Sequence, residues 1–283
     1  MTTMASFFNK LLLATEHTDF DIGAEVVAMD LARQFSLPLA AVLAQASYPE
    51  LETLVAALAS QREQDGATKT AQLREQARAL GVELDIRVRS GSDPYREIVD
   101  EATTRASELI VIRRRGTRSF LANLLLGEMV AKVVAHASCN ALIVPRDAVM
   151  WKHRVLVAAE PTMRGEQIVT QAAAVAAACA LPLSIVSVIP YEDIERRRQS
   201  ESFLDRTISG LRSTGVPMQS RTLIGLTYLE ILDAVQREGA DLLVMGSRCD
   251  QSIKRALIGG VAQKAIGLAR CPVLAVHLPA QVH

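Results

Sequence analysis

The sequence predicts an α/β protein built from two tandem doubly wound domains, each a five-stranded parallel sheet with helices on both faces. Two observations carry this. Short apolar runs alternate with longer stretches of helical period, the pattern of a parallel sheet with crossover helices. The alternation also occurs twice in the same order, as an internal repeat. "LLLATEHT" (Leu11 to Thr18) returns as "VLVAAEPT" (Val155 to Thr162), and "SLPLAAVL" (Ser36 to Leu43) as "ALPLSIVS" (Ala180 to Ser187). "ELIVIRRRG" (Glu108 to Gly116) returns as "DLLVMGSRC" (Asp241 to Cys249), and "LGEMVAKVVAHASCNALIVP" as "IGGVAQKAIGLARCPVLAVH". The predicted domains are residues 1–147 and 152–283, joined near Arg146 to Lys152.

In the first copy the apolar runs predict strands over Lys10 to Thr15, Leu39 to Gln45, Val82 to Arg89, Glu108 to Ile112 and Ala141 to Val144. Helical spacing predicts helices over Ile22 to Phe35, Glu50 to Leu80, Pro94 to Ala106 and Leu124 to His136. Asp93 before Pro94 predicts an N-cap followed by proline at the first helical position. In the second copy Gln167 to Tyr191 carries no charge over a length that invites a membrane reading. Its alanine-rich half ends at Leu181-Pro182, and β-branched residues follow in Ser184 to Val188. A buried helix feeding a buried strand is the expectation.

Composition narrows the function classes. The chain is 49% hydrophobic and 22% charged, and its thirty-one basic residues balance thirty-one acidic ones. No global field gathers nucleic acid or an anionic membrane, so neither is an expected partner. Cys139, Cys179, Cys249 and Cys271 form no CxxC pair and no zinc spacing, which suits a reducing compartment. Met1 to Lys10 lacks a basic patch followed by an apolar core, so the expected location is the cytoplasm. His17, His136, His153, His277 and His283 make no metal or catalytic pair by spacing. No GxSxG, P-loop, HExxH or strand-linked GxGxxG occurs, so an enzyme is not expected, with weak ATPase activity left open.

The chemistry-bearing stretch is "MGSRCDQSIKRALIGG", Met245 to Gly260. A buried strand precedes it and a helix follows, an arrangement that presents backbone N–H groups and a helix N-terminus to a phosphate. With the repeat, this stretch makes both halves resemble universal stress protein (UspA-type) domains. Nucleotide-binding members of that family carry G-x2-G-x9-G-[S/T] after the fourth strand and an aspartate just after the first. The resemblance implies strand order 3-2-1-4-5, an adenine nucleotide between the first and fourth strands, and pairing of domains through their final strands, within one chain or as a homodimer.

Position by position the match is partial. In the second half Gly246 and Gly259 fall on the outer glycines, Cys249 stands at the second glycine and Gly260 at the Ser/Thr. In the first half Arg113 stands at the first glycine and Glu128 at the Ser/Thr. Glu16 and Glu160 replace the aspartate. A carboxylate about 4 Å from a phosphate charge is repelled by about 4 kcal/mol at an effective dielectric near 20, an upper figure for a hydrated loop. The first half is therefore expected to be degenerate, its loop self-satisfied, with Glu128 at the helix N-terminus and the Arg113 to Arg118 cluster available to pair with it.

The expected site lies in the second half alone. Gly246, Ser247, Arg248, Gly259 and Gly260 are expected at the phosphates and Glu160 with Val188 at the base, with Ala158, Ala159 and Cys249 completing the cofactor-binding set. The expected cofactor is ATP or another adenine nucleotide, with no metal beyond nucleotide-associated magnesium. The functional expectation is a stress-response module that shifts its packing or its choice of protein partner when the pocket fills. The alternatives are a scaffold acting through unidentified protein partners without nucleotide, and a pocket for a more apolar small ligand.

Overall fold

The computed structural model describes residues 8–47, 56–114, 127–247 and 258–279. They divide into two compact units, one of residues 8–114 and 127–150, the other from Trp151 onward.

The first unit runs β1 (Leu11–Thr15), α1 (Ile22–Phe35), β2 (Leu39–Ala46), α2 (Ala56–Ala79), β3 (Leu84–Gly91), α3 (Pro94–Thr104), β4 (Leu109–Arg113), α4 (Glu128–His136) and β5 (Asn140–Val144). Its strands lie parallel in the order β3-β2-β1-β4-β5. Every residue of β1 and β4 is buried. That is the mark of strands covered on both faces, and it is why "LLLAT" and "LIVIR" read as unbroken runs rather than alternations.

The second unit repeats the plan with β6 (Val155–Ala158), α5 (Met163–Ala178), β7 (Leu183–Ile189), α6 (Ile194–Leu211), β8 (Met218–Ile224), α7 (Thr227–Arg237), β9 (Leu242–Gly246), α8 (Gly260–Leu268) and β10 (Val273–Val276). The order is β8-β7-β6-β9-β10, again parallel. In each unit the order reverses beside the first strand, which opens a crevice at the carboxyl ends of the first and fourth strands.

Gln167 to Tyr191 is the expected helix, turn and strand, and among the described residues no helix is long and apolar enough to cross a membrane. The turn is built alike in both copies. Ser36 and Ala180 take φ of 53°, and the next amide, Leu37 or Leu181, returns to the carbonyl of Ala32 or Ala176 at 2.8 and 2.9 Å. This Schellman-type closure sets the chain into the Leu-Pro that starts the second strand.

Two local expectations need correction. Asp93 occupies the N-cap of α3 with Pro94 behind it, but its side chain makes no capping bond and instead meets Arg96 at 3.4 Å. Side-chain capping occurs at Thr162 and Asp193, which accept from the amides of Gly165 and Arg196. Strand β3 begins at Leu84 rather than Val82, because the Val82 amide closes α2 on the Ala77 carbonyl at 2.9 Å. The parts of the expected helices that fall on residues 50–55 and 124–126 lie outside the described residues.

Candidate functional site

In the second unit the crevice is a cavity of roughly 300 Å³. Ala158 ends β6 in register with Met245 of β9, so Ala159 leaves the sheet beside Gly246, the last residue of β9. The chain after β6 turns at Glu160, and the Glu160 carbonyl accepts from the Thr162 amide at 2.7 Å. Gly165, in the first turn of α5, packs so closely on that carbonyl that any Cβ would overlap it. The turn is thereby pressed against its helix, leaving the volume above β6 open. On the far side Ser247 is 3% exposed, its amide bound to the Val276 carbonyl at 3.1 Å and its carbonyl to the Gly259 amide at 3.3 Å.

Gly259 is the N-cap of α8, with no side-chain cap and no acidic residue in the following turn. The unspent N–H groups of the first turn of α8 and the positive end of the helix dipole give this wall an affinity for negative charge. Arg164 adds a cation at the rim and donates to the Leu278 carbonyl at 3.2 Å. The opposite wall is aliphatic, formed by Ile168, Val186, Val188 and Ile231. Glu160 also lines the cavity, and its carboxylate has no partner among the described residues.

Of the residues singled out from the sequence, Gly246, Ser247, Gly259, Ala158, Ala159, Glu160 and Val188 line this one cavity. Gly260 is exposed at the start of α8 and is not among the lining residues. Arg248 and Cys249 lie outside the described residues. Sequence reasoning missed Thr162, Met163, Arg164, Thr227 and Leu278. Thr162 had a visible signal, since it recurs as Thr18 in the repeat.

The same place in the first unit is occupied by protein. The repeats on either side of α1 and α5 are equally spaced, so Asp21 corresponds to Gly165, and Arg113 corresponds to Gly246. Arg113 is 4% exposed and Asp21 1%. The Arg113 guanidinium donates to Asp21 Oδ2 at 3.1 Å and Thr18 Oγ1 at 2.9 Å, and it pairs with Glu16 Oε1 at 2.8 Å. Two positions that are glycine in the second half thus carry an ion pair in the first.

A second cluster backs it: Thr15 Oγ1 donates to Glu25 Oε1 at 2.6 Å, and His17 Nδ1 lies 3.0 Å from the same oxygen. The two described residues that flank the first-half loop have different partners from those expected. Arg113 is held by Glu16 and Asp21, whereas Glu128 pairs with Lys132 one turn along α4 at 2.6 Å, and that hydrogen bond draws its carboxyl below the ordinary range. Arg115 and Arg118 lie outside the described residues.

Two of the described thiols are buried in a way that disfavours the thiolate. Burial pushes Cys139 up to about 11, and burial likewise raises Cys179, whose sulfur accepts from Trp151 Nε1 at 3.3 Å. Among the described residues no group of three His, Cys, Asp or Glu side chains could hold a metal ion.

Comparison with known proteins adds the following. A family model described as the universal stress protein family matches residues 8–145 and again residues 152–277. The curated universal stress protein MJ0531 of Methanocaldococcus jannaschii is 38% identical over 65 residues, 23% of this chain and 38% of that protein. A universal stress protein of Thermus aquaticus is 34% identical over 88 residues, 31% of this chain and 64% of that protein. The chain thus spans less than two thirds of either relative. The solved structure of a universal stress protein from Archaeoglobus fulgidus aligns with a TM-score of 0.73 at 18% identity, covering 95% of this chain and 97% of the other, a likeness of fold.

Proposed function

Because the chain belongs to the universal stress protein family, a family of stress-response proteins rather than enzymes, we propose that it is a ligand-responsive module whose second half binds ATP or a related adenine nucleotide. The observation that carries this reading is the open cavity beside β6 and β9, where Gly165 and Gly246 stand in place of the Asp21–Arg113 pair. Phosphates fit the wall of Gly246, Ser247 and the α8 N-terminus. The base fits the aliphatic wall near Ala158, Ala159 and Val188. Gly260 acts through its position at the helix start. A nucleotide-borne magnesium would enter with the phosphates.

Binding to the folded state raises the melting temperature by mass action, so millimolar ATP is expected to stabilise the protein measurably. Gly259→Asp puts a carboxylate at the helix N-terminus, where repulsion from a phosphate charge is worth up to about 4 kcal/mol. The shift is expected to vanish in that variant. An ATP affinity unchanged by Gly259→Asp would sink the reading.

The unpaired Glu160 beside an aliphatic wall favours one second reading, a more apolar uncharged or cationic ligand. Denaturing the purified protein and weighing the released small molecules separates the two. Adenine nucleotide near one per chain supports the first, and a non-nucleotide species supports the second.

A further inference from the structure

The first unit holds a different cavity, of roughly 510 Å³, between α2 and strands β2 and β3. Residues 63, 66, 67, 70, 71 and 74 recur at helical spacing along one stripe of α2 and form one wall. Ile86, Val88 and Ser90 alternate along β3 and share a sheet face, with Gln45 of β2 in register beside Ser90.

Several polar side chains of the lining have no partner among the described residues. The Thr70 hydroxyl oxygen is shut off from solvent and has no hydrogen-bond partner. Thr68, Thr103, Thr104, Thr170 and Thr207 all donate instead to the carbonyl four residues back in their helices. The Gln45 amide, the Ser90 hydroxyl and the Arg74 guanidinium have no side-chain partner among the described residues. Val88, at the floor, is 47% exposed despite its size.

Arg74 also borders an adjoining hollow of roughly 320 Å³, where Arg78 stands one helical turn farther on and Glu83 lies among the facing residues. Arg78 likewise has no ion-pair partner among the described residues. Glu63 stands at the other end of the stripe, about 16 Å from Arg74 at 1.5 Å of helix per residue. The groove is therefore cationic at one end, acidic at the other, hydrogen-bonding between them, and apolar on its floor.

We propose that this groove is a second small-molecule site, independent of the cavity in the other half. It takes a hydroxyl-rich oxyanion of the sugar-phosphate or sugar-acid class. The oxyanion meets Arg74 and Arg78, for which a planar guanidinium is well suited. The hydroxyls meet Gln45 and Ser90, and the carbon skeleton covers Val88.

Gly66 gives a direct test. It is buried in the middle of α2, and a Cβ there would lie 3.3 Å from the Gln45 amide nitrogen, so Gly66→Leu fills the groove while improving helix propensity. Titration calorimetry of the full chain with glucose 6-phosphate and with gluconate is expected to give saturable binding by at least one. Glucose and inorganic phosphate should each bind at least tenfold more weakly than that probe. Arg74→Ala should weaken the probe at least tenfold, Gly66→Leu should abolish it with a melting temperature at or above that of the parent, and Gly259→Asp should leave it unchanged. The proposal is overturned if neither probe binds at millimolar concentration, if inorganic phosphate binds as tightly as the probe, or if Gly66→Leu still binds. It also fails if Gly259→Asp weakens the probe as much as Gly66→Leu does.

Discussion

At the scale of single residues, the two halves differ most at positions 21 and 113 against 165 and 246. A buried arginine facing a buried carboxylate is a poor source of net stability, because desolvation cancels most of the attraction, yet removing one partner strands the other. Arg113→Gly leaves Asp21, 1% exposed, without its counter-charge. It is expected to cost about 3–5 kcal/mol in urea unfolding. Adding Asp21→Asn removes the stranded charge and should recover a large part of that loss. A cost below about 1 kcal/mol for Arg113→Gly would mean that water and the Thr18 donors already satisfy Asp21. The arginine was legible in the sequence, since it breaks a glycine frame. Its partner was not, because Asp21 is 92 residues away and only the equal spacing of the flanking repeats aligns it with Gly165. Glu128 drew attention because it stands at the Ser/Thr position of the motif, although Lys132 is the cation it meets.

At the scale of elements, edge strand β3 is fastened to α3 by charge more than by apolar contact. Glu101 of α3 is 1% exposed and binds Arg89 at 3.1 Å and Arg105, while Arg105 reaches back to Asp85 at 2.7 Å. Burial alone would raise the Glu101 carboxyl, but the hydrogen bonds from Arg105 and Arg89 outweigh it and hold the group below its ordinary 4.5. A carboxyl depressed by folding contributes fully above its unfolded value and loses that contribution as the pH falls through the folded one. Glu101→Gln is expected to cost about 1.5–3 kcal/mol at neutral pH, the range for hydrogen bonds to charged groups. The gap to the parent should be full above about pH 4.5 and close as the pH falls below it, with urea midpoints measured on both sides. A gap that stays constant would assign the role to packing rather than charge. The elements themselves were readable as unbroken apolar runs wherever both faces of a strand are covered, as in β1 and β4. Strand β3, with exposed and buried residues mixed, gave a weaker pattern, and its start was misplaced by two residues because helix closure claimed the Val82 amide.

At the scale of the whole molecule, duplication has kept the frame and divided the chemistry. Both halves keep a tyrosine from the helix before the fourth strand under a lysine of the helix after it, Tyr95 with Lys132 at 5.2 Å and Tyr228 with Lys264 at 4.8 Å. The cation–π contact is the same small fastening, about 0.5–1 kcal/mol at an exposed site, retained on either side of the repeat. Above that common frame one crevice is open and the other is filled by Arg113. Each unit has its own buried core, so a ligand in the second half protects that half directly. Hydrogen exchange at millimolar ATP is therefore expected to slow at the carboxyl ends of β6 and β9 and in the first turn of α8. Exchange at the ends of β1 and β4 should stay as it was without nucleotide. Equal protection at both sets of strands would show that Arg113 yields to ligand and that the first crevice is a working site. No protection at β6 and β9, with glucose 6-phosphate or gluconate still slowing exchange in α2, would move the ligand chemistry of this protein to the groove around Thr70 and Arg74.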